Sequence, residues 1–173
     1  KEIFRQAGES MIVVNAHRIN QGEYPDCNAK DKEFFLLRRK SEKEMLETIK
    51  ELCLVRLPEY YSDLVPGGLK PVRDIQVLTP VRKGTLGCVS MNRDLQQILN
   101  PQTFDDFGEP EKAEKTYGDK LFREGDKVMQ IRNNYELKWK NREDFTDGEG
   151  IFNGDVGFVQ TIDLEFGEMA VVF

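Results

Sequence analysis

The chain has 173 residues, 39% of them apolar and 32% charged, enough to bury the core of one ordinary domain or two small ones. Its formal net charge of −6 excludes a protein that coats nucleic acid through net charge, so any contact with a polyanion has to be a local stripe. Three widely spaced cysteines (Cys27, Cys53, Cys88) and one histidine, His17, lack the paired spacing of a zinc site and read as reduced thiols of a cytoplasmic protein.

The first predicted element is a helix over Gln6 to Gln21, with Ile12, Ala16 and Ile19 on one face. Phe34-Phe-Leu-Leu37 is a short apolar run that fits a strand covered on both sides. Ser41 with Glu44 three residues on forms a capping box and starts a helix whose buried stripe is Met45, Ile49, Leu52 and Cys53. Three prolines and Gly67-Gly68 make Leu57 to Pro71 a loop. Ile75-Gln-Val-Leu78 reads as a second buried strand ended by Thr79-Pro80. A helix from Cys88 to Asn100 carries Cys88, Met91, Leu95, Ile98 and Leu99 on one side. This order predicts an α/β layer with a parallel sheet.

Pro101 to Gly118 is acidic, poor in periodic apolar residues and expected to be a linker. Beyond it, Gly-Asp turn signals alternate with short β-branched segments, Val128 to Ile131 and Val156 to Ile162, as in the hairpins of a small barrel. The predicted division is therefore 1–118, an α/β portion with its linker, and 119–173, an all-β barrel. Charge is unevenly placed along the second part. Lys120 to Arg142 contains seven basic and three acidic residues, whereas Glu143 to Phe173 contains eight acids and no Lys or Arg. Arg132, Lys138, Lys140 and Arg142 surround Tyr135 and Trp139, and aromatic faces interleaved with cations can stack bases and hold phosphates without reading sequence. The bland alternative places both aromatics in the core. Asn133-Asn134-Tyr135 and Asn153-Gly154-Asp155 are also competent turns.

Taken as sequence, Phe122-Arg-Glu-Gly-Asp-Lys-Val-Met-Gln-Ile-Arg-Asn-Asn-Tyr135 together with Gly150-Ile-Phe-Asn-Gly-Asp-Val-Gly157 resembles the insertion in the second motor lobe of RecD/TraA-type superfamily one DNA helicases, the family of the exodeoxyribonuclease V alpha subunit. Two further stretches carry the resemblance. Ile3-Phe-Arg-Gln-Ala7 is similar to the motif that opens that lobe, which implies that Arg5 reaches the γ-phosphate of ATP held by the first lobe. Arginine suits this role because its fixed fork of donors binds phosphate oxygens and stabilises charge during phosphoryl transfer. Val77-Leu-Thr-Pro-Val-Arg-Lys-Gly-Thr-Leu-Gly87, continuing to Asn92, Gln96 and Asn100-Pro101, is similar to a second motif. It implies nucleic-acid backbone contacts for Thr79, Arg82 and Lys83, at loops beyond strand ends where ligands of open α/β sheets sit. Solvated basic residues and turn-forming glycines remain the alternative reading. The resemblance extends the candidate interface to Arg132, Asn134, Tyr135 and Lys138.

The resemblance implies a partial RecA-like lobe followed by a small Src-homology-type barrel, cut from an ATP-dependent enzyme that translocates on single-stranded DNA in recombination or repair. No Gly-x-x-x-x-Gly-Lys-Ser/Thr phosphate loop is present in the chain. ATP and Mg²⁺ are thus expected for the full-length enzyme and not for this segment alone, and the partners expected for it are single-stranded DNA and other nuclease or helicase subunits. A non-enzymatic nucleic-acid module and a protein-interaction adaptor are the alternatives. The chain begins at Lys1 and stops within Met169-Ala-Val-Val-Phe173, which reads as a cut through a strand. No apolar run reaches the roughly 20 residues of a membrane span. A sheet around Phe34 to Leu37 and Ile75 to Leu78 left with an open edge would make the isolated chain self-associate.

Overall fold

The computed structural model describes residues 10–27 and 34–173. The chain divides into two compact units, residues 1–40 and Ser41–Phe173. In the first, helix α1 spans Met11–Asn20 and is capped by Ser10, whose hydroxyl accepts from the Ile12 amide at 3.3 Å; the beginning of the expected helix lies outside the described residues. The buried face differs from the expected one. Ile12 and Ile19 are exposed, while Val13 and Asn15 are buried. Asn15 turns inward because its amide group holds the returning chain, donating to Asp26 O at 3.0 Å and accepting from Asp26 N at 2.7 Å, so its burial carries no unmet polar group.

The second unit opens with α2, Glu42–Glu51, where Ser41 Oγ accepts from Glu44 N at 3.2 Å as the capping pattern predicts. Within α2 Leu46 and Thr48 are buried, Ile49 is half-buried and Met45 is exposed; just past its end Leu52 is half-buried and Cys53 is buried as predicted. Thr48 can be buried because its hydroxyl is satisfied, donating to Glu44 O at 2.7 Å. The expected loop after Leu57 begins later than predicted. The helix continues through a π-helical turn, Leu52–Arg56, into α3, Leu57–Tyr60. Pro58 has no N–H to give, and it sits in the first turn of α3, where the wider π register has already altered the backbone ladder. The glycine pair Gly67 and Gly68 then turns the chain at positive φ towards a short α4, Pro71–Asp74.

Phe34–Leu37 and Ile75–Leu78 are extended but join no ladder among the described residues. Apolar runs of four residues predict burial, yet Phe35, Leu36, Leu37 and Leu78 are all exposed here, and the parallel sheet expected from them is absent from the described residues. Helix α5, Cys88–Leu99, forms where predicted, with Met91 as its buried anchor and Leu95, Ile98 and Leu99 half-buried, but Cys88 at its first turn is exposed and does not join that side.

Among the described residues all ladders are antiparallel and lie in the last third of the chain. Strands β1, Glu114–Tyr117, and β2, Lys120–Arg123, form a hairpin turning at Gly118, so the expected linker supplies a strand. Its alternation was hidden by Lys, Glu and Thr side chains that face solvent or polar partners. Strands β3, Lys127–Met129, β6, Val156–Asp163, and β7, Glu168–Val172, form a three-stranded sheet in the order β3-β6-β7. Strands β4, Asn134–Lys140, and β5, Asp147–Ile151, make a separate hairpin. Along β6 the buried positions are Gly157, Val159 and Ile162. The register shift between Val159 and Thr161 explains the change of spacing, because one extra residue moves the next apolar side chain back to the core face.

Candidate nucleic-acid interface

Three groups of polar residues occur in the second unit, and their hydrogen bonds distinguish them. The first joins α5 to the β-strands. The turn Glu124-Gly125-Asp126 folds the Asp126 carboxylate back on the Arg123 amide at 2.8 Å, and the same carboxylate accepts from Gln96 at 2.6 Å and from Asn100 at 2.8 Å. Asn100 also donates to Glu124 O and accepts from Lys112 Nζ at 2.8 Å. The Arg123 guanidinium is buried. It donates to Asn100 O at 2.7 Å and meets Glu114 at 2.7–2.8 Å. Glu124 accepts from the amides of Ala113 and Ile162. No buried side-chain nitrogen or oxygen among the described residues lacks a partner, so this clasp is fully satisfied and structural.

The clasp absorbs several residues that the sequence places in basic or polar motifs. Arg123 is spent on Glu114, and Lys127 Nζ donates to the carbonyls of Arg73 and Ile75 at 3.0 and 3.2 Å. Neither cation is available to a ligand. Gln96 faces Asp126 and not solvent. Lys112 and Glu114 were missed in the sequence because nothing local marks them as partners of residues twelve and nine positions away.

The second group is the loop from Thr79 to Gly87. Thr79 Oγ1 donates to Leu86 O at 2.7 Å and accepts from Val81 N at 3.5 Å, so its hydroxyl latches the loop. The loop then closes on α5 through Cys88 N to Val81 O and Val89 N to Arg82 O. Gly87 is required there, since a Cβ would lie 2.5 Å from the Lys83 carbonyl carbon. The side chains of Arg82 and Lys83 are exposed and have no hydrogen bond or ion pair among the described residues. The loop thus presents two free cations on a fixed backbone, with Thr79 as support.

The third group is the β4–β5 hairpin, whose first strand is exposed along its whole length. Lys138 stands opposite Glu149 and Lys140 opposite Asp147, so one face is a ladder of opposite charges. Residues 138–140 and 147–149 line a shallow open groove. On the other face Trp139 lies against Gly148, where any side chain would collide with the indole, and its Nε1 donates to Gly150 O at 3.1 Å. Tyr135 is 66% exposed, but its ring meets Phe152 edge-on at 5.8 Å and its hydroxyl accepts from Asn133. Asn134 Oδ1 accepts from the Glu136 amide at 3.2 Å. The Arg132 guanidinium is exposed without a partner among the described residues. The hairpin therefore brings Arg132, Asn134, Tyr135 and Lys138 together on one element, with β5 carboxylates tempering the cations.

At the hairpin turn, Phe145 has φ 59° and is the one non-glycine residue at positive φ among the described residues. A bulky side chain in this region costs on the order of 1 kcal/mol or more. The turn is held by Asn141 N to Thr146 O at 2.8 Å, Glu143 N to Asn141 Oδ1 at 2.8 Å, and the Asp144 carboxylate. The latter accepts from the Thr146 hydroxyl at 2.7 Å and amide at 3.0 Å, and these bonds hold its pKa below the usual aspartate range. Lys140 Nζ lies 5.8 Å from the Phe145 ring centre. Arg142 donates to Gln160 Oε1 and fixes the turn to β6. Sequence reasoning missed Phe145, although an aromatic between turn residues such as Asn141, Asp144 and Asp147-Gly148 was a usable signal.

Arg5 lies outside the described residues. No group of three or more His, Cys, Asp or Glu residues that could hold a metal ion occurs among the described ones, and none of their helices is long and apolar enough to cross a membrane.

Residues 91–173 match the family described as ATP-dependent RecD-like DNA helicase SH3 domain. The match begins inside α5, so the clasp between α5 and the strands falls wholly within it. The chain is also 32% identical over 161 residues to the ATP-dependent RecD2 DNA helicase of Deinococcus radiodurans, an alignment covering 91% of this chain and 17% of that protein. The chain thus spans about a sixth of the length of the curated relative it matches. On these two matches the chain belongs with the RecD-type helicases as a segment of such a protein.

Proposed function

We propose that the chain is the DNA-handling part of an ATP-dependent helicase that translocates on single-stranded DNA and unwinds duplex, in recombination or repair. The observation that carries the reading is the family match over 91–173, which falls on the element with exposed cations and aromatics, the β4–β5 hairpin. In this reading residues 1–118 are the start of the second RecA-like lobe and its connection, and Arg82 and Lys83 hold the strand backbone. Both sets of cations are few and part-balanced by acids, which suits a grip made and released in each cycle better than tight static binding.

ATP with Mg²⁺ would supply the free energy of translocation. The residues of this chain do not fit as their holder, since it has neither a phosphate loop nor, among the described residues, a metal-binding group. What the chain would contribute is Arg5, reaching phosphate oxygens from the facing lobe. A cytoplasmic location accords with three free thiols. The exposed Phe35, Leu36, Leu37 and Leu78 favour self-association of the isolated chain, which sedimentation at rising concentration would read as a growing average mass.

The test of the motor assignment uses the complete enzyme. Arg5→Lys should lower ATP turnover by about a thousandfold, as for other arginines that stabilise phosphoryl transfer, while nucleotide binding weakens far less. Near-normal turnover would make Arg5 a surface residue. Turnover by the 173-residue chain alone would overturn its placement as the partner of a separate nucleotide-holding lobe.

A further inference from the structure

The β4–β5 turn spends backbone strain on an aromatic that the core does not use. Phe145 is 70% exposed and sits at φ 59°, where glycine or asparagine would be easier. Its conformation is imposed by neighbouring side chains, because the Asn141 and Asp144 carboxyl and amide oxygens bind the amides of Glu143 and Thr146 and leave the loop one shape. One side of the ring is attended by the Lys140 ammonium. Arg142 is held by an uncharged amide oxygen of Gln160 and keeps its positive charge. Tyr135 and Trp139, the aromatics expected to meet bases, are both engaged, one edge-on to Phe152 and the other over Gly148.

We propose that Phe145 is a base-stacking platform for single-stranded nucleic acid at the tip of the β4–β5 hairpin, with Lys140 and Arg142 placed for the phosphates flanking the stacked base. The proposal rests on the nucleic-acid reading given above and adds the residue and the mode of contact. An exposed π-face accepts any base, so the contact is indifferent to sequence. Presentation on a preformed turn means that little freedom is lost when the base arrives. The Phe145 ring is exposed and takes no part in the clasp, so changes there leave the clasp's hydrogen bonds in place.

The experiment is an anisotropy titration of the 173-residue chain at low salt with labelled oligothymidylate and with an abasic strand of equal length. Phe145→Ala should weaken oligothymidylate binding by about five- to a hundredfold, the range of one stacked base, and leave abasic-strand binding unchanged. Phe145→Trp should restore or exceed the original affinity. Phe145→Gly should match Phe145→Ala in binding while unfolding at the same or a higher urea concentration, since it relieves the positive φ. Equal loss on both strands, or no loss on oligothymidylate while Lys138→Ala still weakens both, would overturn stacking and leave the nucleic-acid reading standing. Absence of binding to either strand by the unaltered chain would overturn both. Unchanged strand binding with a sedimentation shift in Phe145→Ala would assign the ring to protein contact and overturn the proposal.

Discussion

The clasp between α5 and the β1–β3 region and the β4–β5 hairpin are built from similar residues and use them in opposite ways. In the clasp, Arg123 and Lys112 are neutralised or fully hydrogen-bonded, and Asp126 binds three donors. In the hairpin, Lys138 and Lys140 face acids across the ladder without any ion pair within reach among the described residues, and Arg132 has no partner. A basic residue counts as a ligand group only after its partners have been assigned. The run of seven cations from Lys120 to Arg142 loses Arg123 and Lys127 to structure by that criterion.

The strongest way to break the comparison is to remove the centre of the clasp. Asp126→Ala leaves the Arg123 amide, Gln96 and Asn100 without their acceptor in a buried setting. Unsatisfied buried donors cost about 1–3 kcal/mol each before relaxation, and breaking a buried charged contact costs about 3–5 kcal/mol. A loss of about 3 kcal/mol is expected in urea unfolding, with the slope unchanged. A loss below about 1 kcal/mol would show that α5 docks through Met91 and its apolar neighbours instead.

Changes in the hairpin should show the converse, a large effect on binding and little on stability. Arg132→Ala with Lys138→Ala should lower single-strand affinity and reduce the salt slope by roughly 1.4, at about 0.7 per lost phosphate contact. Stability should move by no more than about 0.5 kcal/mol. The cross-strand acids supply a test of opposite sign. Glu149→Gln with Asp147→Asn frees Lys138 and Lys140 from opposing charge and should raise affinity severalfold at low salt, an increase that fades as the salt screens it. Lower affinity in that variant would place the strand on a different face.

The same distinction explains how far the sequence could be read. The Ser41 cap, helices α2 and α5, and strand segments within Val128 to Ile131 and Val156 to Ile162 announced themselves through signals within a few residues, and all are present, whereas the pairing of β3 with β6 came only with the structure. The Phe34–Leu37 and Ile75–Leu78 runs look like buried strands because apolar content implies burial only when a partner exists, and the described residues offer none. Strand β1 was hidden because its alternation is written in Lys, Glu and Thr. Gln96, Arg123 and Asp126 drew attention as parts of motifs, but their structural role depends on contacts such as Gln96 to Asp126, thirty residues apart. The turn residues around Phe145 marked its place in the sequence, but its positive φ is a property of the folded turn and could not be read there.

The smallest expected effect separates two exposed carboxylates whose lowered pKa values have different causes. Asp74 and Asp144 both have pKa values below the ordinary aspartate value near 3.8. For Asp74 the main cause is the hydrogen bond from Arg73, followed by the Lys70 amide; for Asp144 it is the Thr146 hydroxyl and then the Thr146 amide. In each case the folded state holds the proton more weakly than the unfolded chain. The stabilisation is therefore complete above the unfolded value and is lost as pH falls through the lower folded value. Below pH 3.8 the 141–146 turn should loosen first at Thr146, and side-chain NMR should show Phe145 leaving its single conformation in step with Asp144 protonation. Salt separates the pair. About 1 M salt should carry the Asp74 midpoint up towards 3.8 because its leading partner is charged, while the Asp144 midpoint stays low because a hydroxyl and an amide are not screened. Equal salt shifts at both sites would mean that Asp144 is governed by the nearby Lys140 and Arg142 charges, and that acid would then act on the hairpin through its cations and not through the shape of its turn.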